Sequence, residues 1–203
     1  MAKQDTAPPA PKRWATVSSR ETIRRRYFPD MTLVTHEGKK VRLYEDLVKD
    51  KCVVINFMYA TCRGICSPIT ANLRRVQALL HDRVGRDIFM YSFTLKPDED
   101  SPAALKAYVE ARKLGPGWTF LTGHPDDLEH LRRNLGFTDP DPVRDADKTN
   151  HTGMVRYGNE GLQLWAAFPG MSRAEAIAKS ILWVAWPQKD GPPGTTATTV
   201  NKR

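Results

Sequence analysis

Val53-Val54-Ile55-Asn56-Phe57-Met58-Tyr59-Ala60-Thr61-Cys62-Arg63-Gly64-Ile65-Cys66-Ser67-Pro68 runs from an apolar segment into two cysteines four residues apart. Residues 52–59 show no polar–apolar alternation, the pattern of a central strand covered on both faces. Beyond the cysteines, Ile69, Leu73, Val76 and Leu80 recur every three or four residues and predict a helix over Ser67–His81, with Pro68 suited to its first turn. A strand that turns into a helix places the second sulfur near a helix N-terminus, where partial positive charge favours thiolate over thiol. With Cys66 opening the helix and Cys62 on the turn before it, the α-carbons fall within the roughly 4.4–6.8 Å that a disulfide needs. The pair can therefore close as a disulfide or clamp one metal ion. Cys52 belongs to the strand itself and reads as a packed, inert thiol.

Outward from this segment the pattern is that of one α/β domain. Upstream, Phe28–Thr35 and Val41–Tyr44 form a hairpin around Glu37-Gly38-Lys39, where Gly38 supplies the turn geometry. Downstream come a buried strand at Ile88–Thr94 and a helix from Pro102 to about Ala111 capped by Ser101. A short strand at Trp118–Leu121 and a helix at Asp126–Leu135 closed by Gly136 follow. Residues 137–150 are acidic, aperiodic and longer than an ordinary connection. His151–Tyr157 and Leu162–Phe168 read as a second hairpin, and Arg173–Trp186 as an amphipathic helix. The order β-β-β-α-β-α-β-α-β-β-α describes a central mixed sheet flanked by helices on both faces.

The 203 residues suffice for one such domain, 27–187, between a basic Pro- and Ala-containing tail or tether at 1–26 and a disordered tail at 188–203. Lys and Arg number 31 against 23 Asp and Glu, a net charge of +8. Much of the excess sits in Lys12, Arg13, Arg20 and Arg24-Arg25-Arg26. That stretch reads as a solvated tail, with an anionic membrane surface or an acidic protein as its candidate partners. Nucleic acid is not expected, because no aromatic residues interleave the patch as a stacking platform would require. No segment approaches the roughly 20 apolar residues that cross a bilayer, and none resembles a secretory leader. The expectation is a soluble chain, cytoplasmic or an exported domain whose leader or anchor lies outside this sequence.

Two sulfurs make an incomplete metal site. Of the five histidines, His36 lies in a hairpin turn, His81 near a helix end, and His124 and His130 are six apart, which is not ligand spacing on a helix. His151 ends the irregular stretch and begins a strand, where a side chain can overhang the sheet edge.

The run Asn56-Phe57-Met58-Tyr59-Ala60-Thr61-Cys62-Arg63-Gly64-Ile65-Cys66, followed 85 residues after Cys66 by His151-Thr152-Gly153-Met154 and then Tyr157-Gly158-Asn159, resembles the Sco/SenC family of thioredoxin-like proteins. Gly38-Lys39, Asp46-Leu47 and the turn Pro97-Asp98-Glu99-Asp100-Ser101-Pro102 extend the resemblance over roughly residues 28–186. It implies a thioredoxin-like fold and a single copper ion, Cu(I) or Cu(II), held by Cys62, Cys66 and His151. It also implies a metallochaperone role in assembling the copper A centre of cytochrome c oxidase, whose copper A subunit, or another copper or thiol acceptor protein, would be the partner. The alternative within the family is a thiol–disulfide oxidoreductase in which Cys62 attacks and Cys66 resolves. The family works outside the cytoplasm, so the resemblance implies a periplasmic or extracytoplasmic location.

Soft thiolates suit Cu(I), and an imidazole lets the same site hold Cu(II). Zinc is the competing metal, but structural zinc takes four protein ligands. Met154, three residues beyond His151, falls on the other face of an alternating strand and is not expected to be a fourth. The chain departs from the family where Arg63 and Ser67 replace prolines, and where Asn150 and Lys96 replace acids. These changes make the site more positive, which favours thiolates and opposes a cation.

Overall fold

The computed structural model describes residues 18–62, 64–148 and 152–185. Its seven strands form a single sheet: β1 (Thr32–Thr35), β2 (Lys40–Arg42), β3 (Cys52–Met58), β4 (Ile88–Thr94), β5 (Trp118–Thr122), β6 (Met154–Asn159) and β7 (Leu164–Pro169). They lie in the order β2-β1-β5-β4-β3-β6-β7. β3, β4 and β5 are mutually parallel, with Ile55 opposite Tyr91 and Tyr91 opposite Thr119. β1 and β6 add antiparallel to the two sides of this trio. The sheet is therefore mixed, as the element order predicts.

All seven residues of β3 are buried because both its faces carry core. Val54 and Met58 pack toward α2 (Cys66–Leu80), α3 (Pro102–Ala111) and α6 (Ala174–Val184), meeting Ile69, Leu73, Leu105, Ile177 and Ile181. Val53, Ile55 and Phe57 pack on the opposite side against Leu128, Leu131 and Leu135, from α4 (Pro125–Asn134) and its end, and against a π-helical turn at Leu43–Val48. A strand fed by two cores has no wet face, which is why its sequence lacks alternation. Cys52 is 5 % exposed on this strand and burial pushes its thiol up to about 12. It is the packed thiol expected.

Three local readings are corrected. Residues 19–26 are no tail: α1 (Ser19–Tyr27) is a helix whose N-cap Ser18 accepts from the Glu21 N–H at 3.2 Å. None of its residues is buried, so it shows no apolar stripe. What fixes it is charge: Arg20 reaches Glu160, 140 residues away, and Asp50, while Arg24 pairs with Asp30. Leu43 and Tyr44 leave the hairpin and turn into the π-helical segment, and β1 begins at Thr32, leaving Phe28 to pack on Tyr44 and Trp165. The acidic stretch after Gly136 contains α5 (Pro142–Ala146). Arg132, 3 % exposed, binds both oxygens of Asp145 at 2.7 Å and the Phe137 carbonyl at 2.7 Å, so a buried cation organises residues that look aperiodic. Of the tails expected at 1–26 and 188–203, residues 1–17 and 188–203 lie outside the described residues. Among the described residues no helix is long and apolar enough to cross a membrane.

Candidate metal centre

β3 ends beneath α2, and the turn between them carries the thiols. The Cys62 N–H closes it by donating to the Tyr59 carbonyl at 3.2 Å. Two residues earlier, the Ala60 N–H donates to both oxygens of Asp100 at 3.2 and 3.1 Å. Asp100 is 1 % exposed and also accepts from the Thr94 hydroxyl. Burial raises its pKa, against the pull of those donors. The Thr61 hydroxyl donates to Glu99 at 3.1 Å. The acidic turn before Ser101 thus anchors the cysteine loop to the end of β4.

Cys62 and Cys66 are not joined by a disulfide and are 6 % and 2 % exposed. Burial alone would raise the Cys62 pKa. Hydrogen bonds from the Cys66 thiol, from the N–H groups of Cys66 and Gly64, and from the Tyr59 hydroxyl reverse that and hold it below its ordinary value. Burial pushes Cys66 up to about 12, reinforced by its bond to Cys62. The sequence reading favours the thiolate at the second sulfur, on the helix start; the structure reverses this. The N–H of the first helical residue, Cys66, and that of Gly64 in the turn before it point at the sulfur outside the helix, and the cysteine inside the helix is the more deeply buried.

Tyr59 and Asp100 are the residues of the site that sequence reasoning misses. Tyr59 is 5 % exposed, and burial, then its bond to Cys62, pushes its hydroxyl up to about 12. The Lys96 ammonium lies 4.8 Å over its ring and pairs with Glu99 at 3.0 Å. The available signal was a tyrosine closing the strand three residues before a cysteine.

His151, Arg63 and Asn150 lie outside the described residues. Gly153, with φ +60°, is described: a β-carbon there would meet Ile65 Cδ1 at 2.9 Å and Ile69 Cδ1 at 3.2 Å. Its carbonyl accepts from the Gly170 N–H at 2.7 Å, while Asn72 donates to the carbonyls of Gly170 and Ser172 at 2.8 and 2.7 Å. The segment entering β6 is therefore laid against the first turns of α2, one residue from Cys66. Met154 packs against the opposite core cluster, not the one that holds the thiols. The His36 Nδ1 accepts from the Phe120 N–H at 3.2 Å, a structural role. Among the described residues no three His, Cys, Asp or Glu side chains gather where a metal could sit.

The family model described as SCO1/SenC matches residues 20–185. A Bacillus subtilis SCO1 protein homolog is 31 % identical over 94 residues, 46 % of this chain and 47 % of that protein. The chain thus spans about half the length of the curated relatives it matches. The crystal structure of a SCO1/SenC family lipoprotein from Bacillus anthracis superimposes with a TM-score of 0.62 at 22 % identity, covering 77 % of this chain and 94 % of the other. The copper-bound structure of ScoI from Bradyrhizobium japonicum gives 0.62 at 20 % identity, covering 76 % and 97 %. These structures share the thioredoxin-like fold.

Proposed function

We propose that this chain, which belongs to the SCO1/SenC family, is a copper-binding assembly factor that carries one copper ion as cargo on Cys62, Cys66 and His151. The observation that carries the reading is the pair of unbridged, buried thiols hydrogen-bonded to one another at the start of α2. Two sulfurs are a soft donor set suited to Cu(I), and a closed zinc site would require four protein ligands. The placement of Gly153 against Ile65 supports His151 as third ligand, because two residues reach at most about 7 Å along the chain. Bound copper would supply the charge and thiolate coordination that transfer by ligand exchange requires. The chain supplies the holder: Asp100 fixes the loop, and Tyr59, Gly64 and Cys66 donate to the Cys62 sulfur.

The acceptor in this reading is the copper A subunit of cytochrome c oxidase or another copper or thiol acceptor protein, met outside the cytoplasm. An anionic membrane surface has less charge to draw on than the sequence suggests, since Arg20 and Arg24 are committed to Glu160, Asp50 and Asp30. Anaerobic copper titration of the reduced chain is expected to give one ion per chain. Cys62→Ser is expected to weaken binding by more than about a hundredfold, since loss of a direct ligand should exceed the 10–100-fold typical of outer-sphere changes. Unaltered copper affinity in that variant would overturn the reading.

The asymmetry of the two thiols favours a second reading, thiol–disulfide oxidoreductase, in which Cys62 attacks and Cys66 resolves. Under it, Cys66→Ser is expected to accumulate a mixed disulfide on Cys62 that non-reducing mass analysis detects. Recovery of none during turnover would count against it.

A further inference from the structure

Arg112, at the C-terminal end of α3, leans across to the thiol-bearing helix. Its guanidinium lies 3.5 Å over the Tyr108 ring, and Nη2 donates to the Ser67 hydroxyl at 3.4 Å, one residue after Cys66. The Tyr108 hydroxyl in turn shares a 2.9 Å hydrogen bond with Thr70, in the next turn of α2. Arg74 donates to the Arg112 carbonyl at 3.2 Å, adding a second guanidinium to the same shoulder. Among the described residues neither arginine has a carboxylate partner. Three other described cations are compensated: Lys96 by Glu99, and Arg132 and Lys148 by Glu129 and Asp145. Among these described residues, Arg112 and Arg74 therefore carry positive charge that no carboxylate balances.

We infer that Arg112 is a specificity-determining residue that draws carboxylate-bearing partners to the Cys62–Cys66 dithiol. The inference rests on the reading of that pair as the reactive site and names the chemistry of what it meets: an acidic segment beside the partner's sulfur. A guanidinium held by ring stacking and a hydroxyl presents its charge with little ordering left to do. At a few ångströms and the high effective dielectric of a surface, one such charge changes the encounter with an anion by about three- to tenfold.

Small disulfides test this without copper or an identified acceptor. The Cys62 thiolate attacks one sulfur of RSSR, forming a mixed disulfide and releasing RS⁻. The Cys66 sulfur then displaces the second RS⁻ as its proton passes to solvent. The dithiol loses two electrons and the reagent gains them. Rates of oxidation of the reduced full chain would be measured with glutathione disulfide (anionic), hydroxyethyl disulfide (neutral) and cystamine (cationic). The expected result is a preference for the anionic reagent over the cationic one that shrinks with added salt. In Arg112→Ala it should fall about three- to tenfold, in Arg112→Lys it should largely persist, and the neutral rate should be unchanged in both. A ratio identical in wild type and Arg112→Ala overturns the inference. So does an equal fall with all three reagents, which would mark Arg112 as structural. Absence of any reaction with the neutral disulfide in the wild type overturns the dithiol reading itself, and the inference with it.

Discussion

At pH 7, a reduced chain given a small alkylating reagent is expected to take initial label at Cys62 at least about fifty times faster than at Cys66 or Cys52. Access does not separate the three, since all are at most 6 % exposed. Charge does. Cys66 and Cys52 are pushed up to about 12, and Cys62 lies below the ordinary 9.0. The thiolate population at pH 7 therefore favours Cys62 by at least about 10³. A thiolate of higher pKa is intrinsically the better nucleophile, by about 20-fold over three pH units at a Brønsted slope near 0.45. Population wins by the remaining factor. Labelling of Cys62 should rise with pH and level off before an ordinary thiol would. Mass analysis of early time points checks this, and label appearing first on Cys66 would contradict the assigned polarity of the pair.

Glu160→Ala is expected to destabilise the fold by about 3 kcal/mol and lower Tm by about 6–12 °C. The carboxylate is 1 % exposed and accepts from Arg20 Nε at 2.8 Å, the Tyr44 hydroxyl at 2.9 Å, the Asp50 N–H at 2.8 Å and Gln163 Nε2 at 3.1 Å. Truncation strands all four donors. Losing one partner of a fully buried pair costs about 3–5 kcal/mol, and the Arg20 side chain, 40 % exposed, recovers part of that by rehydrating. The pH dependence follows from the same network. Burial raises the Glu160 pKa but the bonds from Arg20, Asp50 and Tyr44 outweigh it, so the folded value lies below the ordinary 4.5. A depressed carboxylate contributes stability above its unfolded pKa and loses it as pH falls through the folded one. Thermal unfolding of wild type and variant should thus converge below about pH 4.5. An unchanged Tm at neutral pH would show that α1 is not held by this clamp.

That clamp also marks the boundary of what local sequence can reveal. The strand at 52–58 and the helix after it were legible because each is specified by its own apolar spacing. Helix α1 was not, because Ser19–Tyr27 buries nothing and is held by Glu160, Asp50 and Asp30. Pro142–Ala146 is organised in the same way, through a buried Arg132 ten residues upstream of its start. At the site, the cysteine spacing announced the sulfurs, while their polarity and the roles of Tyr59 and Asp100 depended on which amides and hydroxyls the folded turn aims at Cys62. Spacing fixes neighbours along the chain; it does not say which sulfur receives the hydrogen bonds.

We propose that Cys62, Cys66 and His151 together hold one copper ion. Anaerobic copper titration of the fully reduced wild type and of His151→Ala, followed by visible absorption and metal analysis, tests it most directly. The wild type is expected to hold one copper tightly with a thiolate charge-transfer band, and the variant to lose stoichiometric Cu(II) and that band. Identical copper content and spectrum in the two proteins would contradict it.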